Sequence, residues 1–425
     1  MFLLPSAVAE AILASQASWG WLSLRHDRVE DLAVVAGYSV KETQRFPMAN
    51  ISTFLREHYS RVIDVVPWSA VWYRAQPDLH TAWLQVIRRG PGVGLPIETV
   101  RDWIPTGWRN PGPDRPMPML TVALIEGRPD WKAWWATSAG VVPAELHLVE
   151  EGAALFAPLR PGWPVDLLAS LLVTVVGVGS IGSAAADALA AYAIGRLALV
   201  DPDRLLLHNL ARHRLPREQL GRRKVTAVAE QLRKRFPGLQ VESLPLNVVG
   251  DANLMRPLFR RSDIVVVCVD GVAPRRVANH LAVWAATPAV LACVLEDGAI
   301  GEILRVRPGS GSGCLLCHRA QLRDDGRIDL ESGLDLGYGI GLTHRPMTAV
   351  GGDLALVGEF AAKVAVATLL EGHGYRDQRL PGEHAVLGLR PVPGLTPPFD
   401  VAGAGAVGWS PVDVPRPDCP TCQRQ

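Results

Sequence analysis

The sequence predicts an α/β protein, a doubly wound and mostly parallel sheet preceded by an α+β domain. Three observations carry this expectation. From Leu167 onward, short apolar runs alternate with longer amphipathic stretches. A glycine-rich turn, Gly177-Val-Gly179-Ser-Ile-Gly182, follows the apolar run Leu171–Val176 and opens a small-residue run, Ser183–Ala193. Tryptophan divides the chain, with eleven of the 13 at or before Trp163 and only Trp284 and Trp409 beyond it.

In chain order, the first part mixes β-like runs at Asp31–Tyr38, Arg61–Val66 and Met119–Leu124 with helical ones at Ala7–Ala17 and Asn50–Arg61. A proline-rich loop is expected from Pro105 to Pro118. The join is expected at Pro158–Trp163, where Pro-Leu-Arg-Pro-Gly-Trp breaks regular structure, giving domains at 1–160 and 161–425. Beyond it, strands are expected at Leu171–Val176, Arg196–Val200, Val241–Pro245, Ile264–Val269 and Ala289–Val294. Helices are expected between them, at Ser180–Ala193, Lys224–Phe236, Asn253–Arg260 and Arg275–Ala286. There is no internal repeat.

Composition narrows the function classes. The chain has 425 residues, enough for two domains, and a formal charge of +1, so no global field favours nucleic acid or membrane. Arginine outnumbers lysine 38 to 5, and the local basic cluster Arg212–Arg235 reads as phosphate handling plus a solvated helix. No apolar run has a membrane-spanning length and no secretion signal follows Met1, so the expected location is the cytoplasm. Six cysteines in such a setting argue for metal or catalysis before disulfides.

The glycine turn offers a tight bend, close backbone approach to phosphate, and helix N-terminal amides facing an anion. Asp201, 19 residues beyond Gly182, stands where a carboxylate reaches ribose hydroxyls. To this point a dinucleotide site fits equally well. Asp203, Asn209, Arg212, Lys224 and Asp270 separate the cases. Two cations and two or three carboxylates behind one phosphate-binding turn suit a triphosphate with magnesium better than a nicotinamide. The set leaves an NAD(P) oxidoreductase no use for Asn209, Arg212 and Lys224.

The pattern Asp201-Pro-Asp203, Asn209-Leu-Ala-Arg212, Gly221-Arg-Arg-Lys224 and Asp270 closing a strand resembles the ThiF/MoeB/HesA family, which has the fold of ubiquitin-activating enzymes. The resemblance covers about Leu167 to Gln425. It implies a Rossmann-like fold, with Gly177, Gly179, Ser180 and Gly182 around the nucleotide and Asp201 and Asp203 beside it. It further implies that Asp201 holds ribose, that Asn209, Arg212 and Lys224 hold phosphates, and that Asp270 binds magnesium. Two departures stand out: Ser180 replaces the usual second consecutive glycine, and His213 follows Arg212 where glutamine is usual.

Cys314-Leu-Leu-Cys317 and Cys419-Pro-Thr-Cys422 each give a metal two thiolates from one turn, and together they make a four-thiolate zinc site. With no open position the zinc should be structural, clasping the C-terminal segment to the nucleotide domain; the resemblance implies the same split clasp. Cys268 reads as a small buried residue, and Cys293 ends the next strand. Thioester-forming relatives carry their nucleophile in the segment that crosses the site, yet 318–352 here has no cysteine. Either the adenylate passes directly to an acceptor, or Cys293 serves as nucleophile, or the thiol was lost.

The N-terminal part resembles JAB/MPN-type isopeptidases in its element order, but no two of the 11 histidines are spaced by two, so it is expected to be metal-free, inactive and a docking surface. Its tryptophans are expected to fill a core ahead of forming a binding face. The function implied is an adenylyltransferase using ATP, Mg2+ and Zn2+, with Arg212, Lys224 and Asp270 catalytic. It would activate the C-terminal carboxylate of a ubiquitin-like protein, with a ubiquitin-conjugating enzyme as a further partner. The resemblance implies a homodimer through the nucleotide domain, where the small-residue helix faces suit packing between subunits, with Arg160 reaching its partner's phosphates. The rivals are adenylation of a short peptide in natural-product synthesis and a non-catalytic scaffold subunit.

Overall fold

The computed structural model describes residues 1–27, 32–40, 44–47, 67–90, 92–104, 106–111, 116–149, 152–327, 329–331 and 349–423. The chain divides into two units, Met1–Leu155 and Phe156–Gln425. The helix expected at 50–61 and the strand expected at 61–66 lie outside the described residues.

The first unit is α+β. Its strands are β1 (Phe2–Pro5), β2 (Trp19–Asp27), β3 (Leu32–Val40), β4 (Gln44–Pro47), β5 (Pro67–Arg74), β6 (Met117–Ile125), β7 (Arg128–Thr137), β8 (Gly140–Ala144) and β9 (Leu146–Val149). They form one mixed sheet in the order β8-β7-β6-β5-β2-β3-β1-β9, with β4 added on β3. Helices α1 (Ser6–Ala14), α2 (Pro77–Ile87) and α3 (Ile97–Asp102) accompany it. The two-residue connection between β6 and β7 puts Glu126 at φ 50° and Gly127 at φ 76°. Two successive left-handed residues make the turn whose twist matches a two-residue hairpin.

The tryptophans of this unit belong to its interior. Trp72 and Trp134 are fully buried, and Trp19, Trp21, Trp68, Trp83, Trp103, Trp108 and Trp135 pack against the two apolar clusters. Their polar edges are satisfied: Trp72 Nε1 donates to the Ser39 carbonyl at 2.9 Å, and Trp134 Nε1 to Thr121 Oγ1 at 3.0 Å. Buried indoles that find an acceptor are stable core residues.

The second unit is the expected α/β sheet. Strands β10 (Leu172–Val176), β11 (Arg196–Val200), β12 (Gln240–Leu244), β13 (Ile264–Val267) and β14 (Ala289–Leu295) pair in parallel, in the order β12-β11-β10-β13-β14. The sheet continues with an antiparallel edge that the sequence reading did not identify: β15 (Ile300–Val306), β16 (His384–Gly388) and β17 (Val407–Ser410). The strands near the switch point are buried along their whole length, because helices cover both faces, and the one polar residue among them, Thr174, meets Ser262 Oγ at 2.7 Å.

One face carries α4 (Val165–Ser170), α5 (Ser180–Ala191) and α6 (Lys224–Arg235), and the other carries α7 (Ala252–Arg261), α8 (Val272–Trp284) and α9 (Leu315–Asp324). The longest helix, α10 (Gly351–Gly372), lies against α5. It too escaped the sequence reading, since it is apolar nearly all round and shows little amphipathic period; such a helix belongs in an interior. The contact is close: a β-carbon at Gly358 would lie 2.2 Å from the Ile181 carbonyl oxygen. The small-residue run of α5, read from sequence as suited to packing between subunits, is thus occupied within the chain.

Candidate nucleotide-binding site

The site forms at the carboxyl ends of β10 and β13, on either side of which the chain turns to opposite faces; ligands bind open α/β sheets at such switch points. Each glycine of the turn has a different reason. Gly177 has φ +83°, and a β-carbon there would stand 2.6 Å from the Cys268 carbonyl oxygen. At Gly182 it would stand 1.8 Å from the Gly177 carbonyl oxygen, so only glycine lets α5 start this close to the strand. At Gly179, the residue before α5, it would meet nothing within 4 Å, leaving backbone open to a ligand.

A cleft of about 80 Å³ opens at this helix start. Of the residues singled out from sequence, it brings together Gly179, Ser180, Asn209, Arg212, Lys224 and Asp270. Ile181, His213, Cys268 and Leu354 complete the lining. Leu354 comes from α10, far along the chain, and no sequence signal marks it. His213 had one signal, its place directly after Arg212.

Asp201 and Asp203 stand behind the turn and do not line the cleft. Asp201 is buried; Oδ2 accepts the Val178 N–H at 2.7 Å and Oδ1 the Asp203 N–H at 2.8 Å. Burial raises its pKa, against the pull of Lys224 and the two amides. Lys224 is the first residue of α6. Its backbone N–H reaches the Asp203 carbonyl at 3.0 Å and its ammonium reaches Asp203 Oδ2 at 2.8 Å. The partner carboxylate is 62 % exposed, so solvent weakens the pair and leaves the buried ammonium able to serve an incoming anion.

Asn209 ends a short 3-10 turn, its Oδ1 accepting the Leu206 N–H at 2.8 Å and its carbonyl accepting the N–H groups of Arg212 at 2.9 Å and His213 at 2.8 Å. That turn fixes Arg212 and His213 at the cleft. Asp270 sits beyond β13, ahead of Gly271 (φ +87°), which starts α8. Cys268 was placed inside the strand; the strand ends one residue earlier, at Val267, and the thiol lines the cleft. Burial, with the Asp270 charge adding to it, pushes that thiol well up and keeps it protonated.

Cys293 lies elsewhere, buried on β14 with Sγ 3.6 Å from Glu302 Oε2. Burial pushes its thiol up to about 12, Arg275 and Arg319 opposing and Glu302 adding to the rise. Glu302 itself is fully buried. Burial alone would raise its pKa, but Arg319, His384 and Arg275 hold it well below the usual range. Arg275 NH2 donates to Oε2 at 3.0 Å, Arg319 also donates to Oε2, and His384 Nε2 lies 3.1 Å from Oε1. His318 lies beside this group, but Glu331, 2.7 Å from Arg275 and 3.8 Å from Arg319, joins Glu302 as a second carboxylate, so the two arginines are already balanced as ion pairs. Arg160, proposed from sequence as a residue in trans, is half-exposed and pairs with Asp166 at 3.2 Å.

The four clasp cysteines meet. Sγ–Sγ distances are 4.0 Å for Cys314–Cys317, 3.7 Å for Cys314–Cys419 and 3.7 Å for Cys317–Cys422. Four sulfurs each about 2.3 Å from a tetrahedral zinc lie about 3.8 Å apart, so the donor set fits that ion. The Arg416 N–H points to Cys317 Sγ at 3.4 Å, an orientation that suits a thiolate.

Residues 164–356 match the ThiF family. Over 146 residues the chain is 31 % identical to the sulfur carrier protein ThiS adenylyltransferase of Escherichia coli, covering 34 % of this chain and 57 % of that one. It is 39 % identical over 151 residues to the adenylyltransferase and sulfurtransferase MOCS3 of Sus scrofa, covering 35 % and 32 %. It is 31 % identical over 156 residues to ubiquitin-like modifier-activating enzyme 5 of Oryza sativa subsp. japonica, covering 34 % and 37 %. The chain thus spans from about a third to somewhat over half the length of these relatives. The glycine turn, the cationic loop behind it and the match over residues 164–356 agree: this part of the chain is similar to the ThiF family.

Proposed function

We propose that the chain is an adenylyltransferase that activates the C-terminal carboxylate of a ubiquitin-like or sulfur-carrier protein with ATP. One observation carries the reading. Asn209, Arg212, Lys224 and Asp270, scattered over 62 residues of sequence, line one cleft at the start of α5. The similar proteins named as ThiS adenylyltransferase and ubiquitin-like modifier-activating enzyme support the substrate class.

In this reading the turn amides, Asn209, Arg212 and Lys224 bind the phosphates, and Asp201 serves the ribose beside Asp203. The substrate carboxylate oxygen bonds to the α-phosphorus as the bond to pyrophosphate breaks, and the electron pair leaves with pyrophosphate. Negative charge grows on the phosphoryl oxygens, where Arg212 and Lys224 stabilise it without proton transfer. Asp270 would hold Mg2+, which supplies further charge neutralisation on the phosphates. Cys314, Cys317, Cys419 and Cys422 would hold a structural Zn2+. The buried, protonated Cys293 favours transfer of the acyl group straight from the adenylate to an outside acceptor, a ubiquitin-conjugating enzyme being one candidate. The N-terminal unit (1–160 on the sequence reading) would serve as a docking domain, and the assembly would be a cytoplasmic homodimer with Arg160 acting across it.

ATP–pyrophosphate exchange tests the reading. Exchange should require a folded β-grasp protein ending in a free carboxylate. Exchange supported only by a short peptide would replace the substrate class and keep the chemistry. No ATP binding in the presence of magnesium would overturn the reading as a whole.

A further inference from the structure

We propose that His213 is a positioning residue of the nucleotide cleft, a neutral ring that braces the middle of the glycine turn against the Asn209–Arg212 segment. The proposal rests on the nucleotide-site reading above, and its first measurement does not depend on that reading.

The geometry fixes the ring's proton. Nε2 lies 2.9 Å from the Val178 carbonyl oxygen, which can only accept, so Nε2 carries the hydrogen. Nδ1 lies 3.1 Å from the Leu215 N–H, which can only donate, so Nδ1 offers its lone pair. One tautomer satisfies both contacts, and a doubly protonated ring satisfies only one. The ring is 7 % exposed, so a lost partner would be replaced poorly by water. The cationic Lys224 is the charged group that acts on it from the neighbouring helix, and a second positive charge there would be repelled. Burial, first, and Lys224 hold the imidazole down at about 4.

The bond matters because of what sits at its other end. Val178 is the residue between Gly177 and Gly179. Its N–H is already taken by Asp201 Oδ2 at 2.7 Å, so the two side chains grip it from both sides, one on its donor and one on its acceptor. The next residues, Gly179 and Ser180, line the cleft. The His213 backbone N–H is tied to the Asn209 carbonyl at 2.8 Å, so one residue joins the phosphate-facing amides to the segment that carries Asn209 and Arg212. A glutamine could do the same, donating through its amide N–H to Val178 and accepting through its oxygen from Leu215.

Two measurements test this on the full chain. Nitrogen-15 imidazole shifts, with the His213 signals identified by their loss in His213→Gln, should show a neutral Nε2–H ring at pH 7. A cationic ring or the other tautomer overturns the bracing. Titration with magnesium-ATP should give an affinity within about threefold of wild type for His213→Gln and about tenfold weaker for His213→Ala, the loss expected for one buried hydrogen bond coupled to binding. The thermal transition and zinc content of each variant show whether it is folded. Equal weakening in both variants, or none in a folded His213→Ala, refutes the positioning role. Absence of ATP binding by the wild type refutes the positioning role together with the function, while the tautomer result still reports on the brace itself.

Discussion

At the scale of single residues, the grip on Val178 has a consequence for acid stability. The unfolded imidazole titrates near its ordinary value, while the folded one stays neutral down to about 4. Between those values the unfolded state binds the extra proton, so stability is present above the unfolded pKa and is lost as pH falls. Replacing His213 by glutamine should remove about 1–2 kcal/mol of the stability loss between pH 7 and pH 5, read by denaturant melts at both pH values. His80 and His318, also held low by burial, leave the remainder of that acid sensitivity. Asp270→Ala should cut ATP–pyrophosphate exchange by about a hundredfold or more, since the carboxylate that would hold the charge-neutralising Mg2+ is lost, while the thermal transition stays put. Full exchange in that variant would remove Asp270 from the site. Cys293→Ser should leave exchange unchanged and no reductant-sensitive adduct should form with labelled modifier, because a thiol near 12 is almost wholly protonated at neutral pH. An adduct that disappears in Cys293→Ser would make it the nucleophile after all.

At the scale of elements, two contacts hold the nucleotide unit together from its far end. The first is the crossing of α10 over α5, where Gly358 meets the Ile181 carbonyl and Ala184. Gly358→Val puts side-chain carbons into that contact and should cost about 1–3 kcal/mol of stability, seen as a lower urea midpoint with unchanged slope. An unshifted midpoint would mean the two helices separate readily. The second is the cysteine clasp, which joins the start of α9 to residues 419–422. Zinc should copurify at about one ion per chain, and Cys419→Ala should lower stability as well as metal content, because metal-binding energy is folding energy at a closed site. Metal-free protein of full stability would show that the four thiols act only as core.

At the scale of the whole molecule, the two units have different physical grounds for stability. The first builds its interior from indoles whose polar edges are satisfied, and the second from long runs of aliphatic strand covered on both faces. Among the described residues no helix is long and apolar enough to cross a membrane. The expected homodimer has lost one of its supports, since the small-residue face of α5 is filled by α10. If the assembly forms nonetheless, sedimentation at micromolar concentration should show a dimer and Arg160→Ala should weaken exchange. A monomer with full exchange would count against both expectations.

The sequence by itself determined the class of the second unit, its five parallel strands and the helices α5 to α8 to within a few residues, and the residues gathered at the glycine turn. Those features are local: an apolar run, a glycine at a left-handed φ, and cations at fixed offsets write themselves into consecutive residues. The 3.7 Å meeting of Cys314 with Cys419 was legible too, because a thiolate pair from each side suffices to imply a tetrahedral site. Only the tertiary structure decided the rest. The antiparallel edge and α10 carry no distinctive period, since elements buried on several sides are apolar throughout. Leu354 reaches the cleft, Cys293 sinks beside Glu302, and Val178 is gripped by Asp201 and His213 across 23 and 35 residues of chain. Such contacts arise when distant segments are folded onto one another, and no spacing along the chain encodes them.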